Sequence, residues 1–434
     1  MEHSNSGVST VEKGGDHHAP LIGGLALFFV FFVAYGSSGL AASRTFETHE
    51  FLGVDHWEWI NQNWELYHKG SHPLLMLFMK PFQAVVSVFP GLRGHVFAVM
   101  VNAGFGALAV ALAFLCYWIF SRRAIHSAVV ATLYGCTTGQ VVFGSVPESR
   151  VIEASVIIAT YVLLAASLDA PRLRLPVWVA AGLLTFGVTI THFFHSLSAF
   201  TGATFYHRDR WPIARIVRYG ALVLALAVVL ALLQKAIVRE SKLFFMPETV
   251  EREMQYTTFE KSVDPRQAAR GVLFNFGAFS IVSPKPWIGK ARPLRVASEK
   301  EMATPGVTPT MAQFIPVKLK NTNFTPTGKA GVILWGILIL VGLVRNVRSL
   351  LDNSRRRATL LVAGAAIAFT MMLHSVYGYF EVYLYLCSFT FPIVLFVIDP
   401  EFKSRLYTAS IAALAVTAGW NNWKMLLDVV ASAS

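Results

Sequence analysis

Long apolar runs recur along the chain, and polar segments of very unequal length separate them. Most of these runs are close to the roughly 20 residues that a helix needs to cross the hydrocarbon core of a bilayer. A further apolar stretch at 72–89 is interrupted by Lys80-Pro81, and we expect it to dip into the bilayer without crossing it. The pattern therefore predicts an all-α polytopic membrane protein, with spans near 20–42, 95–120, 125–144, 149–168, 177–206, 216–238, 329–346, 358–376, 381–398 and 406–424.

The short loops between these runs carry most of the basic clusters, and such loops stay on the cytoplasmic side. They predict a cytoplasmic N-terminus and two large extracytoplasmic loops, 43–94 and 239–328. For successive loops to alternate between the two sides of the membrane, the segment 177–206 must enter the bilayer and return as two short helices. These helices would turn at Thr191-His192 on the outer side. The clusters are Arg122-Arg123, Arg172 with Arg174, 207–218, 345–357, and Lys403 with Arg405.

Composition agrees with this topology and excludes several other classes of protein. The 434 residues are 54% hydrophobic and only 14% charged, which is too little charge for a soluble domain. The net charge of +12 follows from the loop clusters, so it does not indicate a nucleic-acid partner. The three cysteines lie in apolar spans, and we expect no disulfide framework. Residues 1–19 form a predicted cytoplasmic tail and 20–434 a single transmembrane domain, with no visible internal repeat.

The segment 54–75, VDHWEWINQNWELYHKGSHPLL, follows the first span and is rich in aromatic and charged residues. Trp57, Ile60, Trp64 and Tyr67 share one face of a helix, and Trp and Tyr favour the headgroup layer. We therefore expect an amphipathic helix on the outer membrane surface. Asp55 and Glu58 would stand at its start, where they fit a capping box as well as a catalytic pair.

Other polar residues also stand at predicted helix starts or inside apolar runs. Ser71-His72-Pro73 fits a capped helix start, although His72 could equally face a phosphate. Ser145 and Glu148 fit a second capping box, and Glu381 fits a helix N-terminus. His192 and His195 lie within an apolar stretch, where a polar residue usually faces the protein interior or a cavity.

A metal site is a further possibility near the first loop. Glu47, His49 and Glu50 could bind a divalent cation together with Asp55 and His56, although their spacing matches no recognised ligand pattern. No cofactor is therefore certain from the sequence.

One topology places the candidates from five separate segments at the same membrane face. They are Asp55, His72, Glu148, His192 and Glu381. Polar groups that converge at a lipid–water boundary would suit a reaction between a lipid-borne substrate and an extracytoplasmic acceptor.

Four short motifs carry a resemblance to a known superfamily. They are the acidic first loop GVDHWEW, the helix SHPLLMLFMKP, the turn VPESRVIEA and the aromatic–acidic stretch YGYFEVYLYL. With these, the chain resembles the GT-C superfamily of polytopic glycosyltransferases over most of 20–400. The resemblance implies a GT-C-like bundle of about 10–12 transmembrane helices, a polyprenyl-phosphate-linked sugar donor, and an active site on the extracytoplasmic side of the plasma (inner) membrane.

The resemblance also implies roles for particular residues. Asp55 would be the base of an inverting displacement onto a glycan, lipid or protein acceptor. Glu47, Glu50 or Glu58 would be less favoured substitutes. The lipid phosphate would need a cation. Five basic residues in the outer-side segments could supply it: Arg150, Arg239, Lys242, Lys285 and Arg292. The first loop lacks the Asp-x-Asp of some members, so metal dependence stays open. The apolar stretch 271–282 is expected to rest on the membrane beside the site.

Two other classes of function remain open from the sequence. A transporter or flippase for a lipid-linked or anionic solute would explain Lys80, His192, Lys235 and His374 as parts of a translocation path. A non-catalytic membrane subunit would use the loop 239–328 to dock partners. The enzyme hypothesis predicts polar groups at one membrane face, whereas the transporter hypothesis predicts them along both halves of the bilayer.

Overall fold

A computed structural model shows a predominantly helical membrane protein. The structure describes residues 18–50, 72–88, 95–169, 174–208, 210–239, 241–254, 256–257, 265–289, 292–296, 310–314, 317–319, 323–352 and 354–432. Most of the outer-surface helix expected at 54–75, including Asp55 and Glu58, therefore lies outside the described residues.

The N-terminal third is built around the long helix His95–Ser121. This helix packs against the helices Ala19–Thr48, Ala124–Gly135 and Arg150–Asp169. The elements are α1 (Ala19–Thr48), β1 (His49–Glu50), α2 (Leu75–Val88), α3 (His95–Ser121), α4 (Ala124–Gly135) and α5 (Thr138–Ser145). The Tyr35 ring of α1 fits between Gly106 and Gly144, where a Cβ atom would lie 3.1 and 2.8 Å from it.

The middle third confirms the short helical hairpin that the loop charges predict. Its elements are α6 (Arg150–Asp169), α7 (Leu175–Val188), a 3₁₀ turn (Ile190–His192), α8 (Phe193–Tyr206) and α9 (Pro212–Ile237). α7 and α8 have 14 residues each, which gives about 21 Å of helix and is less than the roughly 30 Å hydrocarbon core. The hairpin can therefore enter the bilayer and return, and its 3₁₀ turn lies where the sequence predicts it.

The segment between α9 and the next long helix contains short helices and most of the strands. The elements are α10 (Pro247–Met254), α11 (Pro265–Phe274), a π-helical turn (Asn275–Phe279), β2 (Pro286–Ile288), β3 (Arg292–Val296), β4 (Thr310–Phe314) and β5 (Val317–Leu319). β4 pairs in parallel with β1 and antiparallel with β3, and β2 pairs antiparallel with β5. The pair His49–Gln313 sets the β1–β4 register and ties the end of α1 to this segment.

The C-terminal third returns to long helices. They are α12 (Pro326–Leu351), α13 (Arg355–Val376), a 3₁₀ segment (Tyr379–Tyr385), α14 (Leu386–Val397) and α15 (Arg405–Ala431). The apolar helical character predicted for the membrane part is thus confirmed, and the described strands are confined to the loop segments.

Six helices within the described residues are long and apolar enough to cross a membrane: Pro20–Ser43, Val96–Ser121, Arg150–Asp169, Pro212–Ile237, Pro326–Leu351 and Arg355–Val376. Ala124–Gly135, Leu175–Val188 and Val382–Val397 are shorter apolar helices. Large apolar side chains are exposed along α1, α9 and α12, as expected for helices that face lipid. The chain is therefore a multi-pass membrane protein whose partner is the lipid bilayer.

The end of the apolar stretch 271–282 is packed inside the protein, whereas Leu273 in its first half is 58% exposed, so that the stretch as a whole does not lie on the surface. Phe276 stacks on Phe389 of α14 at 3.7 Å between ring centroids, and Ile281 and Val282 are fully buried. Asn422 of α15 holds this stretch, because its Nδ2 donates to Ile281 O and to Cys136 O, each at 2.8 Å. Asn422 therefore links the stretch 271–282 to Cys136, the residue at which the helix is interrupted between α4 and α5.

Candidate functional site

The centre of the candidate site is Glu153, in the first turn of α6, whose side chain is completely buried. Arg150 Nη1 donates to Glu153 Oε1 at 2.9 Å, and the Thr189 hydroxyl donates to the same oxygen at 3.1 Å. The second carboxylate oxygen accepts from Ser388 Oγ at 3.3 Å and lies 3.8 Å from His192 Nε2. This carboxylate therefore joins α6 to the α7–α8 hairpin and to the start of α14. We call Arg150, Glu153, His72, Thr189, His192 and Ser388 the Glu153 cluster.

Arg150 is fixed on two sides but not sealed from the surroundings. Its Cζ lies 4.6 Å from the centroid of the Tyr385 ring, in a cation–π contact, while Glu153 holds one end of the guanidinium. The side chain keeps 14% of its surface exposed, whereas that of Glu153 keeps none. Of this ion pair, the Arg150 side chain is therefore the member that keeps some exposed surface.

His72 enters the cluster through the apex of the hairpin. Its Nδ1 lies 2.6 Å from the backbone oxygen of Val188 and 3.1 Å from Thr189 Oγ1. A carbonyl oxygen can only accept, so Nδ1 carries the proton and donates. The Thr189 hydroxyl has two acceptors for its single hydrogen, Val188 O at 2.7 Å and Glu153 Oε1 at 3.1 Å, so Thr189 lies within hydrogen-bond distance of both His72 and Glu153.

Two further histidines lie next to these residues. His192 is buried, and its Nδ1 has no hydrogen-bond partner among the described residues. His374, near the end of α13, is buried against the Tyr385 ring at 4.3 Å between centroids, and its Nδ1 donates to Tyr377 O at 3.2 Å. Tyr385 therefore contacts both Arg150 and His374, which brings α13 to the edge of the cluster.

Local sequence explains why the acidic group is placed here. Glu153 stands in the first turn of α6, where the exposed backbone N–H groups favour a negative charge. The preceding turn is fixed by Glu148, whose N–H donates to Asn102 Oδ1 at 3.1 Å and whose carboxylate accepts the Ser149 N–H at 2.9 Å. The Pro-Glu-Ser turn therefore sets the direction from which α6 enters the bundle.

The structure brings together four of the residues that the sequence singled out. His72, Arg150 and His192 belong to the Glu153 cluster, and Glu148 lies in the buried turn immediately before it. Ser145 does not cap α6, which corrects the capping-box expectation: it is the last residue of α5, and its buried hydroxyl has no partner in the described part of the chain. The cap at this turn comes from Glu148 instead.

The remaining candidates are not placed in the cluster. Lys285 is exposed, and its backbone N–H donates to Asn323 O at 2.7 Å. Asp55 and Glu58 lie outside the described residues. The backbone is described at five other candidates, but their side chains lie outside the description: Glu47, His49, Glu50, Arg292 and Glu381.

The described residues contain no group of three or more His, Cys, Asp or Glu side chains that could hold a metal ion. This absence does not cover the expected metal ligands Glu47, His49 and Glu50, whose side chains lie outside the described part of the structure.

The sequence reasoning missed Glu153, although a signal for it was present. It is an acidic residue inside the apolar run 149–168, and ionisable residues in such runs usually face the protein interior for a functional reason. Thr189, Ser388 and Tyr385 had no comparable signal, because hydroxyl and aromatic residues are common in membrane helices. Only the packing of the hairpin and α14 against α6 brings them to Glu153.

Comparison of the chain with protein-family models, with curated proteins and with solved structures finds no match.

Proposed function

We propose that the protein is a membrane glycosyltransferase of the GT-C type that transfers a hexose or pentose from a polyprenyl-phosphate donor to an extracytoplasmic glycan, lipid or protein acceptor by inverting displacement. The observation that carries this proposal is Arg150, a side chain with 14% of its surface exposed, whose guanidinium a buried carboxylate and an aromatic ring fix at one end of a membrane bundle. A fixed guanidinium can bind the oxygens of a phosphate through parallel N–H donors, and this neutralises the charge of a departing lipid phosphate.

The distribution of charge supports an enzyme more than a translocation path. The interior of the long spans has no Asp, Glu, Lys or Arg, as the sequences 154–168, 219–234, 330–344 and 358–376 show. The Glu153 cluster lies at one end of α6, and the other ion pairs of this helix lie at its opposite end. A path for an anionic solute would need polar groups between these two ends.

In this proposal the residues of the chain have separate tasks. Arg150 holds the donor phosphate, and Glu153 is a positioning residue that fixes Arg150 and, through Thr189, His72. Asp55 accepts the proton of the attacking hydroxyl, and Glu58 is its substitute. The phosphate of the donor is already a fair leaving group, so that proton removal and charge neutralisation are the main contributions required of the protein.

The test is sugar transfer by the purified protein in lipid nanodiscs, with polyprenyl-phosphate mannose, glucose and arabinose supplied separately as donors. Wild type should transfer at least one of these sugars. Asp55→Asn should lose about 10²–10⁴ in rate with unchanged thermal stability, because Asn caps a helix as well as Asp but cannot take up a proton. A chelator added to the wild-type protein distinguishes a role of Asp55 as base from a role as metal ligand, because only a metal-dependent reaction would become slower. If the wild-type protein transferred none of the three sugars, the proposal would be contradicted.

Arg150→Lys is the matched variant for the phosphate task. It keeps the positive charge but loses the planar set of donors, so donor binding should weaken while the protein stays folded. Binding of undecaprenyl phosphate without a sugar, measured in the same nanodiscs, reports this task alone. Equal binding by Arg150→Lys and wild type would remove Arg150 from the donor site.

The proposed orientation has a cytoplasmic N-terminus and a site on the extracytoplasmic side of the plasma membrane. It is tested with an impermeant thiol reagent on intact cells that express Leu350→Cys or Lys290→Cys. Labelling of Lys290→Cys alone agrees with the orientation that the basic loops predict. Labelling of Leu350→Cys alone would reverse the orientation and move the Glu153 cluster to the cytoplasmic side.

A specific observation favours the transporter or flippase as a second candidate function. The membrane helix 124–145 is interrupted at Cys136–Thr137, and α5 starts there without a side-chain cap. Thr138 Oγ1 and Gln140 Oε1 are buried next to this break without hydrogen-bond partners in the described part of the chain. Interrupted helices hold solutes in many transporters. Movement of a fluorescent polyprenyl phosphate between leaflets, with no sugar transfer, would favour this candidate.

A further inference from the structure

The segment 241–254, which we call the strap, crosses the end of the bundle that contains the Glu153 cluster. It begins where Ser241 Oγ accepts from Gln234 Nε2 of α9 at 2.7 Å. Phe244 then packs edge-to-face on Phe186 of α7 at 5.3 Å between ring centroids. At the other end of the strap, Glu253 accepts a hydrogen bond from Tyr377, immediately after α13. The strap is therefore tied to three different helices.

One side of the strap is apolar and uncovered. Val250 and Met254 lie four residues apart on one face of α10, and Met246 stands four residues before Val250, immediately ahead of the helix. Each is 47–49% exposed. Thr249 is 8% exposed and faces the protein, while Glu253 turns to Tyr377. The exposed apolar face therefore points away from the contacts that hold the strap in place.

Phe245 continues this face, and the backbone there is strained. Its φ is +59°, a left-handed conformation that bulky residues rarely adopt. Such a conformation costs on the order of 1–3 kcal/mol. The side chain is nevertheless 63% exposed. This conformation turns Phe245 outward while its neighbour Phe244 packs inward, and an apolar surrounding for the ring would offset part of the cost.

The face is continuous with the lipid-facing surface of α9 and has basic residues beside it. Leu233 and Ile237, in the last turns of α9, are 49% and 55% exposed. Lys235 and Arg239, near the end of α9, and Lys242, at the start of the strap, are also exposed. Lys and Arg near a helix end extend their charged groups to the phosphate layer of a bilayer, and they attract anionic lipids.

We propose that the strap is a membrane-interface anchor, whose apolar face of Phe245, Met246, Val250 and Met254 is inserted among the acyl chains at the edge of the bilayer. The cations Lys235, Arg239 and Lys242 lie at the headgroups of anionic phospholipids beside it. The occupant of the face is thus lipid rather than a second copy of the chain or another protein. This function does not depend on the reaction proposed for the Glu153 cluster.

The test is site-directed spin labelling of the full chain in nanodiscs that contain phosphatidylglycerol. Single cysteines replace Met246, Val250 or Met254 on the apolar face, and Glu248→Cys and Glu251→Cys are matched positions on the polar side of the same helix. Leu233→Cys supplies the reference for lipid exposure. The three native cysteines are buried, and unsubstituted protein carried through the same labelling measures their contribution.

Collision with oxygen and with a polar nickel complex distinguishes the surroundings of each label. The three apolar-face labels should show a high oxygen-to-nickel ratio, as at Leu233→Cys, and the two control labels a low one. Low access to both reagents at the apolar face would mean that protein covers it, and a low ratio there would mean that water does. Either result would overturn the anchor, and agreement among three positions prevents one poorly folded variant from deciding the matter.

Discussion

The two ends of α6 hold charge in different ways. At its start, Glu153 is fully buried and pairs with Arg150, which is 14% exposed. At its end, Asp169 is 27% exposed and pairs with Arg122 and Arg355, whose side chains are 60% and 30% exposed. These ends are about 30 Å apart along one 20-residue helix. The same types of residue therefore form an enclosed pair at one end and solvent-accessible pairs at the other.

The end of the bundle near Asp169, which we call the ionic end, contains a wider set of ion pairs and carbonyl contacts. Arg345 Nη2 lies 2.6 Å from Asp399 Oδ2, and Arg355 Nη2 lies 3.2 Å from Glu401 Oε1. Arg356 is buried but directs its guanidinium to Leu395 O and Phe396 O at the end of α14, each at 2.9 Å. Positive charge is favourable at the C-terminal carbonyls of a helix. At the ionic end, a cationic side chain therefore caps the C-terminal carbonyl groups of a helix.

The difference between the ends indicates which charges serve stability. Exposed ion pairs contribute roughly 0–1 kcal/mol each, so those at the ionic end mainly set orientation and pack helix ends. Burial of Glu153 and Arg150 costs several kcal/mol of desolvation, and apolar residues of similar size could fill such a place at no loss of stability. The cost is understandable if the exposed part of Arg150 binds a ligand.

The largest effect is expected when the enclosed pair is broken. Glu153→Ala should destabilise the protein by about 3–5 kcal/mol, because it leaves Arg150 buried without its carboxylate. Asp169→Ala, the matched change at the ionic end, should cost only about 1 kcal/mol or less, because water can solvate Arg122 and Arg355. Thermal unfolding of both variants in the same detergent gives the comparison. Equal losses would show that the two ends do not differ energetically.

A double variant separates the stability of the pair from its function. Arg150→Met with Glu153→Leu replaces the ion pair by apolar side chains of similar volume, so stability should return close to that of wild type. Binding of undecaprenyl phosphate should still be lost, because no guanidinium remains. A double variant that is stable and still binds this lipid would show that the pair is only structural.

The sequence predicts the fold better than it predicts the site, and the reason lies in the range of the interactions. Apolar run lengths and loop charges are local, and they predicted the long spans and the short hairpin with its turn at residues 190–192. The Glu153 cluster depends on contacts between residues far apart in the chain, such as Ser388 with Glu153 and His72 with Val188. Such pairs leave no periodic signal, so the position of Glu153 inside an apolar run marked it as unusual but did not show which residues it would contact.

The burial of residues 279–282, at the end of the apolar stretch 271–282, was not predicted, for a related reason. An apolar run of this length fits a surface segment, a buried loop or part of a helix equally well. Its burial depends on Asn421 and Asn422 of α15, which bond to Ser283 and Ile281. Those amides were not recognised as partners, because nothing in their local sequence shows which loop will reach them.

A smaller effect is expected at the ionic end when Arg356 is changed. Arg356→Leu removes the donors to Leu395 O and Asn346 Oδ1, and a buried acceptor left unpaired costs about 1–3 kcal/mol. Phe396 O also loses Arg356 but keeps Asn346 Nδ2 as a donor. Arg357→Leu, one residue further along the exposed start of α13, is the matched control and should be nearly neutral. Thermal unfolding distinguishes them. If Arg356→Leu were as stable as Arg357→Leu, closure of the α14 terminus by this cation would be unimportant.

The smallest effect on the free energy of global unfolding is expected for the Tyr377–Glu253 hydrogen bond, which ties the strap to the end of α13. Tyr377→Phe removes a bond to a carboxylate, worth about 1.5–3 kcal/mol locally, so a spin label at Val250→Cys should become more mobile while global unfolding hardly changes. Glu253→Gln keeps an acceptor oxygen and should loosen the strap less. Unchanged mobility in Tyr377→Phe would mean that Ser241 and Phe244 hold the strap without this bond.

The pH dependence of this tie has a definite sign. Burial, and then the neighbouring Tyr385 and Glu253, raise the pKa of Tyr377 above its ordinary value of 10.0. A group with a raised pKa in the folded protein contributes its full stability below the unfolded pKa and loses it as the pH rises through the folded value. The label at Val250→Cys in otherwise wild-type protein should therefore keep the same mobility from about pH 7 to about pH 9. An increase in mobility within that range would show that Tyr377 is not the group that holds the strap.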